Sequence, residues 1–381
     1  MSAFQPQIPY NSLPQLPPDG IELQNDLALA KLLIDARSAL AELSGISQSL
    51  PNPALLLDLV TLREGQASSA IENLVTTQDE LYRAIAEGRL FATPKHNSAR
   101  EGDPVKEVLR YREAMYKGWE LLKKRSIVNT TLCTAIVQEV KGQSIGVRNS
   151  EGTRIAKANG DVIYTPPVGE ARIRTMLKDW EEYINLNYQD LDHDPLIALA
   201  LSHYQFEAIH PFPDGNGRTG RIINVLHLVN AGLLPSPILY LSGYINQNRK
   251  AYYRGLRAVT ENSAWKEWVM FIVRGISVTA KQTIKDIRTI RSQMDVALNE
   301  IREALGDNMP AERIRDLAFQ NAYIKISNLD REGIAKRQTA SKYLHALTRE
   351  GGGPDFLRPE RRGREVYFRN HRLLELLSQG E

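Results

Sequence analysis

Apolar residues recur at spacings of three and four through most of the chain, and that period predicts a mainly α-helical fold. Residues 21–43 carry Leu23, Leu27, Leu33, Ala36 and Leu40 in this register, with Gly45 as the stop. Asn52-Pro53 opens a second helix through Leu55, Leu56, Leu59 and Leu62, followed by a less oily, small-residue stretch over 64–73. Thr77 and Glu80 have the spacing of a capping box for the next helix. Asp103-Pro104 starts another that reaches Lys123, and 128–140 adds one more. Between 153 and 165 the period changes: 153–156 and 162–165 read as short strands around Asn159-Gly160, a hairpin stopped by Pro166-Pro167. Asp194 and Pro195 then cap and begin a helix to Ile209, with Ile197, Leu201, Tyr204 and Ala208 on one face. The helical period resumes through Ile222, Ile223, Leu226 and Val229 and closes at Gly232. Residues 239–256 are helical, and a very long helix follows from Ser263 to Leu305.

The twelve residues His210–Arg221 form a polar loop pinned between two apolar helices and ending on the N-terminus of the second. Free N–H groups and the positive end of a helix dipole make such a place an anion site. Gly215 and Gly217 let backbone approach an anion closely. Arg218 and Arg221, three apart, project from one side of the first turn. Asp214 is a hard oxygen ligand suited to Mg²⁺ held against phosphates. His210 supplies a base near neutral pH, while Phe212 reads as an apolar anchor. Together these residues ask for a magnesium nucleotide and a proton-bearing nucleophile.

The stretch resembles the signature of Fic-domain proteins, His-Pro-Phe-x-x-Gly-Asn-Gly-Arg-x-x-Arg, and matches every fixed position. The resemblance implies a Fic helical core whose activity is transfer of AMP from ATP to a Ser, Thr or Tyr hydroxyl of a target protein, or of itself. It makes His210 the general base and Asp214 the Mg²⁺ ligand. Gly215, Asn216 and Gly217 would cradle the phosphates with Thr219 and Gly220 in the same nucleotide-binding turn; Arg218 would hold the β-phosphate and Arg221 the γ-phosphate. Ser68-x-x-x-Glu72-Asn73 resembles the family's inhibitory motif, which implies that Glu72 pairs with Arg221 in the seat of the γ-phosphate. That Glu also supports removal of AMP in some members. The hairpin is placed like the family's flap, so Ile163, Tyr164 and Thr165 would dock an extended target by strand addition; a surface hairpin without that role fits the pattern equally. Of the Tyr252-Tyr253 pair, Tyr253 is placed as a nucleotide contact, with core packing as the alternative. Gly217 stands where kinase-like members carry Lys, and Arg221 is kept where phosphocholine transferases depart, so both of those chemistries are disfavoured.

Beyond the long helix, 311–319 and 334–349 read as helices, 324–329 as a strand or turn, and Phe356-Leu357 with 366–368 as a hairpin whose tip holds Arg358, Arg361, Arg362 and Arg364. This resembles a winged helix-turn-helix. Lys336, Arg337, Gln338, Thr339 and Lys342 lie where a recognition helix shows side chains to DNA, although such modules also dock proteins or dimerise. The expected organisation is therefore an N-terminal helical region (1–100), a Fic core (101–290), and a linker helix with winged helix-turn-helix (291–381).

Composition sets the bounds. A net charge of +3 over 381 residues is too small to imply a polyanion binder as a whole, so any DNA contact must come from a local patch. Cys133 is the single cysteine, which excludes an intrachain disulfide and fits a cytoplasmic location. No apolar run reaches the ~18 residues of a membrane span, and residues 1–20, with prolines at 6, 9, 14, 17 and 18, read as an extended surface arm. The rival reading is a DNA-binding regulator with the Fic core as nucleotide sensor. A homodimer stays open.

Overall fold

The structure, a computed structural model, describes residues 4–19, 23, 26–48, 53–87, 102–150, 152–156, 159–186, 194–306 and 308–378. Ile21 and Asn52, where two helices were expected to begin, lie outside that set. By packing the chain divides into two compact units, each assembled from separate stretches: 1–45, 60–74 and 107–283 in the first, and 46–59, 75–106 and 284–381 in the second. Four helices, α1 (Leu27–Ser47), α2 (Pro53–Ile71), α4 (Pro104–Lys124) and α11 (Trp265–Leu305), contribute residues to both.

The first unit is built around α7 (Pro195–Ile209), in which every residue except Glu207 is buried. A helix apolar on all sides belongs at the centre of a core. Asp194 caps it by accepting from the Leu196 N–H at 2.8 Å. Trp180 of α6 (Glu170–Ile184) and Trp268 of α11 each donate an indole N–H to its carbonyls, at Ser202 and Ala200. α8 (Asn216–Asn230) packs on α7 and on α5 (Thr130–Lys141), where Cys133 is buried. Around these lie α1 (Leu27–Ser47), α4 (Pro104–Lys124), α9 (Leu241–Gln247) and α10 (Arg249–Asn262).

Several boundaries differ from expectation for identifiable reasons. α1 begins at Leu27 because Asp26 takes the Leu29 N–H, and it passes through Gly45 to Ser47. The 239–256 segment is two helices broken at Asn248, and Ser263 is the left-handed cap of α10 rather than the start of α11. The hairpin is shorter than expected: β1 (Ile155–Ala156) pairs antiparallel with β2 (Val162–Tyr164) through an irregular register.

The second unit contains α3 (Gln78–Ala86), whose Thr77/Glu80 capping box is present, and α12 (Ala311–Gln320). Next comes β3 (Tyr323–Ile324); of the strand or turn expected at 324–329, Ile324 lies in this strand and 326–329 instead open helix α13 (Ile326–Arg331). After a turn at Gly333 follows α14 (Arg337–Ala346). A three-stranded antiparallel sheet, in the order β3-β5-β4, completes the fold with β4 (Arg358–Arg362) and β5 (Glu365–Arg369). Arg358, Arg361 and Arg362 thus lie along a strand; Arg364 alone of the four sits in the turn, beside Gly363 at φ 56°. The terminal α15 (His371–Ser378) had no counterpart in the apolar pattern.

Candidate active site

The site begins where α7 ends. His210 closes the helix at φ 50°, a left-handed conformation that a non-glycine residue holds only when its surroundings fix it. Arg148 supplies that constraint. Its Nε donates to the His210 carbonyl at 2.7 Å and its Nη2 to the Ile209 and Pro167 carbonyls, while its own N–H bonds to the Pro211 carbonyl. Phe212 is buried beneath the loop. The Asn216 amide then staples the loop shut, accepting from the Phe212 N–H at 2.8 Å and donating to the Phe212 carbonyl at 2.7 Å. Gly215, at φ 79°, makes the left-handed step into α8, so the helix starts with bare N–H groups facing the loop.

The His210 ring sits half-buried, and its Nδ1 makes no hydrogen bond among the described residues. Burial, and then the nearby Arg148 charge, hold its pKa down at about 4, against the raising influence of the Glu207 backbone and Asp214. The imidazole is therefore neutral near pH 7 and free to accept a proton. Asp214 is mostly exposed and ion-paired to Lys141 at 2.5 Å. Burial pushes its carboxyl up, but the Lys141 hydrogen bond and charge outweigh that and keep it below the usual range. An ionised, solvent-facing carboxylate fits Mg²⁺, which takes one or two carboxylates and fills its other positions with phosphate oxygens and water.

Beside the loop, Glu72 at the end of α2 bridges both arginines. Its Oε1 accepts from Arg221 Nη2 at 2.8 Å, and its Oε2 lies 3.1 Å from Arg218 Nε. Arg221 also donates to the Ser68 hydroxyl at 2.8 Å and to its carbonyl at 3.0 Å. Asn73, at φ 66°, ends α2 in a left-handed conformation that Asn tolerates, and its Oδ1 accepts from Arg249. Gly217 faces this cluster: a Cβ there would lie 2.9 Å from Glu72 Oε1 and from Arg221 Nη1. Gly220 faces the other way, against α7, where a Cβ would lie 2.6 Å from Glu207 Oε1. Thr219 is fully buried, and its hydroxyl has no partner among the described residues.

Ile163, Tyr164 and Tyr253 come together around a cavity of ≈ 640 Å³ that Glu207 and Arg249 also line. Tyr164 fixes the hairpin to α7 by donating to the Ala208 carbonyl at 2.8 Å. Tyr253 is 46% exposed, whereas Tyr252 is buried and bonded to His203. Thr165 is buried beside the hairpin, its hydroxyl donating to the Pro6 carbonyl.

Five further residues belong to this site and escaped sequence reasoning. Arg148 and Lys141 are described above. Glu107 pairs with Arg218 at 2.5 Å, burying a second carboxylate in the cluster. Glu64, two turns before Glu72 on the same face of α2, accepts from the Ser242 N–H at 2.8 Å, and burial pushes its carboxyl up to about 7. Glu207, likewise raised to about 7 by burial, stands one turn before His210. Only Glu207 carried a local signal, its i,i+3 relation to His210. The others are brought in by elements distant in sequence.

Profiles of known families match three stretches of the chain: "Fic/DOC family N-terminal" over 30–120, "Fic/DOC family" over 130–228, and "Protein adenylyltransferase SoFic-like, C-terminal domain" over 294–373. The chain belongs to the Fic/DOC family. Among its relatives, the protein adenylyltransferase Fic of Drosophila willistoni is 34% identical over 106 residues, covering 28% of this chain and 20% of that one. The protein of the same description from Culex quinquefasciatus is 30% identical over 171 residues, 45% of this chain and 32% of that one. This Fic chain thus spans between a fifth and a third of the length of the curated relatives it matches. Solved structures share its fold, among them the following two. A Fic family protein from Desulfovibrio desulfuricans G20 aligns over 89% of this chain and 95% of its own, with TM-score 0.51 and 20% identity. A Fic domain containing signaling protein from Bacteroides thetaiotaomicron aligns over 66% and 95%, with TM-score 0.51 and 15% identity.

Proposed function

We propose that this Fic protein transfers AMP from ATP to a hydroxyl of a target protein, and that Glu72 holds it in a restrained state. The observation that carries the reading is the pairing of Glu72 with both Arg218 and Arg221 at the start of α8. Two guanidiniums aimed over a helix N-terminus are a triphosphate seat, and a carboxylate across them competes with the outer phosphates. With Glu72 displaced, Arg221 and Arg218 hold the γ- and β-phosphates while the Gly215–Gly217 backbone lets the chain approach them. Mg²⁺ on Asp214 would neutralise charge on the departing pyrophosphate. Neutral His210 takes the proton from the target hydroxyl as it attacks the α-phosphorus in line. The apolar cavity lined by Ile163 and Tyr253 receives the nucleoside, and the hairpin presents the target. Glu72, with its side chain 28% exposed, is also placed to orient water for the reverse removal of AMP.

The test is labelling of lysate proteins with ATP labelled at the α-phosphate. Glu72→Gly is expected to raise incorporation about tenfold or more, a difference of ~1.4 kcal/mol in barrier. His210→Ala in that background should abolish it with ATP affinity within a few-fold. Unchanged incorporation in Glu72→Gly would remove the restraint, and retained transfer in His210→Ala would remove the base.

For the second unit we infer contact with duplex DNA. The supporting observation is a helix-turn-helix (α13–α14) beside a strand pair, with Lys336, Arg337, Gln338, Thr339 and Lys342 all exposed. Fluorescence titration with random duplex at low and moderate salt tests it, since phosphate contacts impose a steep salt dependence. Binding that ignores salt would redirect that surface to a protein partner.

A further inference from the structure

The hairpin's outer side is already occupied by the chain's own N-terminal arm. The Tyr10 N–H donates to the Thr165 carbonyl at 2.9 Å, the backbone bond of an added strand just past the end of β2. Thr165 returns a bond, its hydroxyl donating to the Pro6 carbonyl at 2.7 Å. Further along, Asn11 Oδ1 accepts from the Val168 N–H at 3.1 Å, and Gln205 of α7 donates to the Pro14 carbonyl at 2.8 Å. Three aromatic rings tie the arm to the hairpin. Phe4 stacks on Tyr164 at 6.1 Å, and Tyr10 meets both edge-on at 5.6 and 6.2 Å. Phe4 also lines the cavity that Tyr253 and Glu207 share.

The arm's chemistry is specific. Residues 4–14 contain no charged side chain, and the prolines at 6, 9 and 14 restrict a backbone that turns at 5–8, where the Ile8 N–H donates to the Gln5 carbonyl at 3.0 Å. It is therefore fixed by backbone hydrogen bonds and ring contacts, each worth about 1 kcal/mol net and insensitive to salt. That total is modest for a ligand free in solution. For a tethered one it suffices, because a short tether gives an effective concentration in the millimolar range.

We propose that the hairpin's outer edge is a binding surface for an uncharged, proline-spaced segment carrying aromatic residues, and that the N-terminal arm fills it in cis. Such a segment in a target must displace the arm to reach the site. The inference rests on the reading of the hairpin as the target-docking element. It adds to that reading the recognised chemistry and a competitor independent of Glu72.

The experiment uses the full chain and a fluorescent synthetic peptide of residues 1–14. In the Phe4→Ala/Tyr10→Ala chain, with the arm loosened, the peptide is expected to bind saturably with affinity unchanged between low and high salt. The unaltered chain should bind it at least tenfold more weakly, because its own arm is in place. Replacing Tyr164 with Ala in the loosened chain should abolish binding, and circular dichroism and thermal unfolding report whether that variant keeps its fold. Equal binding to loosened and unaltered chains, or binding to neither, overturns the proposal, as does binding lost at high salt. Transfer separates this from the broader reading. If the peptide binds the loosened chain but does not slow labelling of lysate proteins by that chain carrying Glu72→Gly, the edge stands and its role in docking targets falls.

Discussion

Two groups of basic side chains in this protein obey opposite rules. Arg218 and Arg221 at the start of α8 are 2% and 3% exposed, and carboxylates from α2 and α4 close on them. Lys336 at the start of α14 is 95% exposed, with Asp330 no closer than 3.8 Å. A buried guanidinium without a partner is costly by several kcal/mol, so its partners are fixed by the fold. An exposed ammonium is already satisfied by water, so nothing inside the molecule specifies its neighbour. The first group is set up to be competed for, and the second is left for something outside to meet.

The largest expected effect tests the buried half of that contrast. Glu107→Leu removes one partner of Arg218 and should lower the unfolding free energy by about 3–5 kcal/mol in urea denaturation. A loss below 1 kcal/mol would place the pair with ordinary surface pairs. Glu72→Gly should be milder, about 1–3 kcal/mol, because Arg218 keeps Glu107 and Arg221 keeps Ser68. Stability should therefore fall in the variant whose transfer rises; a Glu72→Gly chain as stable as the unaltered one would mean the bridge stores nothing.

Glu207 sharpens the comparison through pH. Its folded pKa, about 7, lies above the ordinary glutamate value of 4.5, so the folded state keeps the proton that the unfolded chain releases first. The resulting stability is fully present below about pH 4.5 and is lost as pH rises through 7. Glu207→Gln cannot ionise, so it should match the original protein near pH 5 and exceed it near pH 8 by about 1–2 kcal/mol, at ~1.4 kcal/mol per pKa unit less an allowance for the new amide. A pH-independent difference would show that the carboxyl ionises freely in the fold. The smallest effect belongs to the exposed group. Lys336→Ala with Lys342→Ala should leave the unfolding midpoint within about 0.5 kcal/mol of the original. The same double change should flatten the salt dependence of DNA binding.

Much of the site was legible because one local stretch carries it. His210, Asp214, Gly215, Gly217, Arg218 and Arg221 sit within twelve residues, and helical period fixes which of them share a face. Helix existence was equally legible from apolar spacing. Helix ends were not, since Asp26, Asn248 and Ser263 set them through backbone hydrogen bonds and a left-handed turn that period does not encode. Of the strand or turn expected at 324–329, only Ile324 joins a strand and 326–329 are helical, because so short an apolar run fits either period.

By itself the sequence determined a helical protein, a loop with anion-binding chemistry on a helix start, and a glutamate-bearing segment of the right spacing. Only the tertiary structure decided that Glu72 reaches both arginines, that Glu107 backs one of them, and that Arg148 locks the backbone under His210. It alone laid the N-terminal arm on the hairpin. The physical reason is range: dihedral preference and side-chain period act over a few residues. Charge pairing and desolvation act between groups that are neighbours only after folding, and the partners found here stand 62 to 159 positions apart.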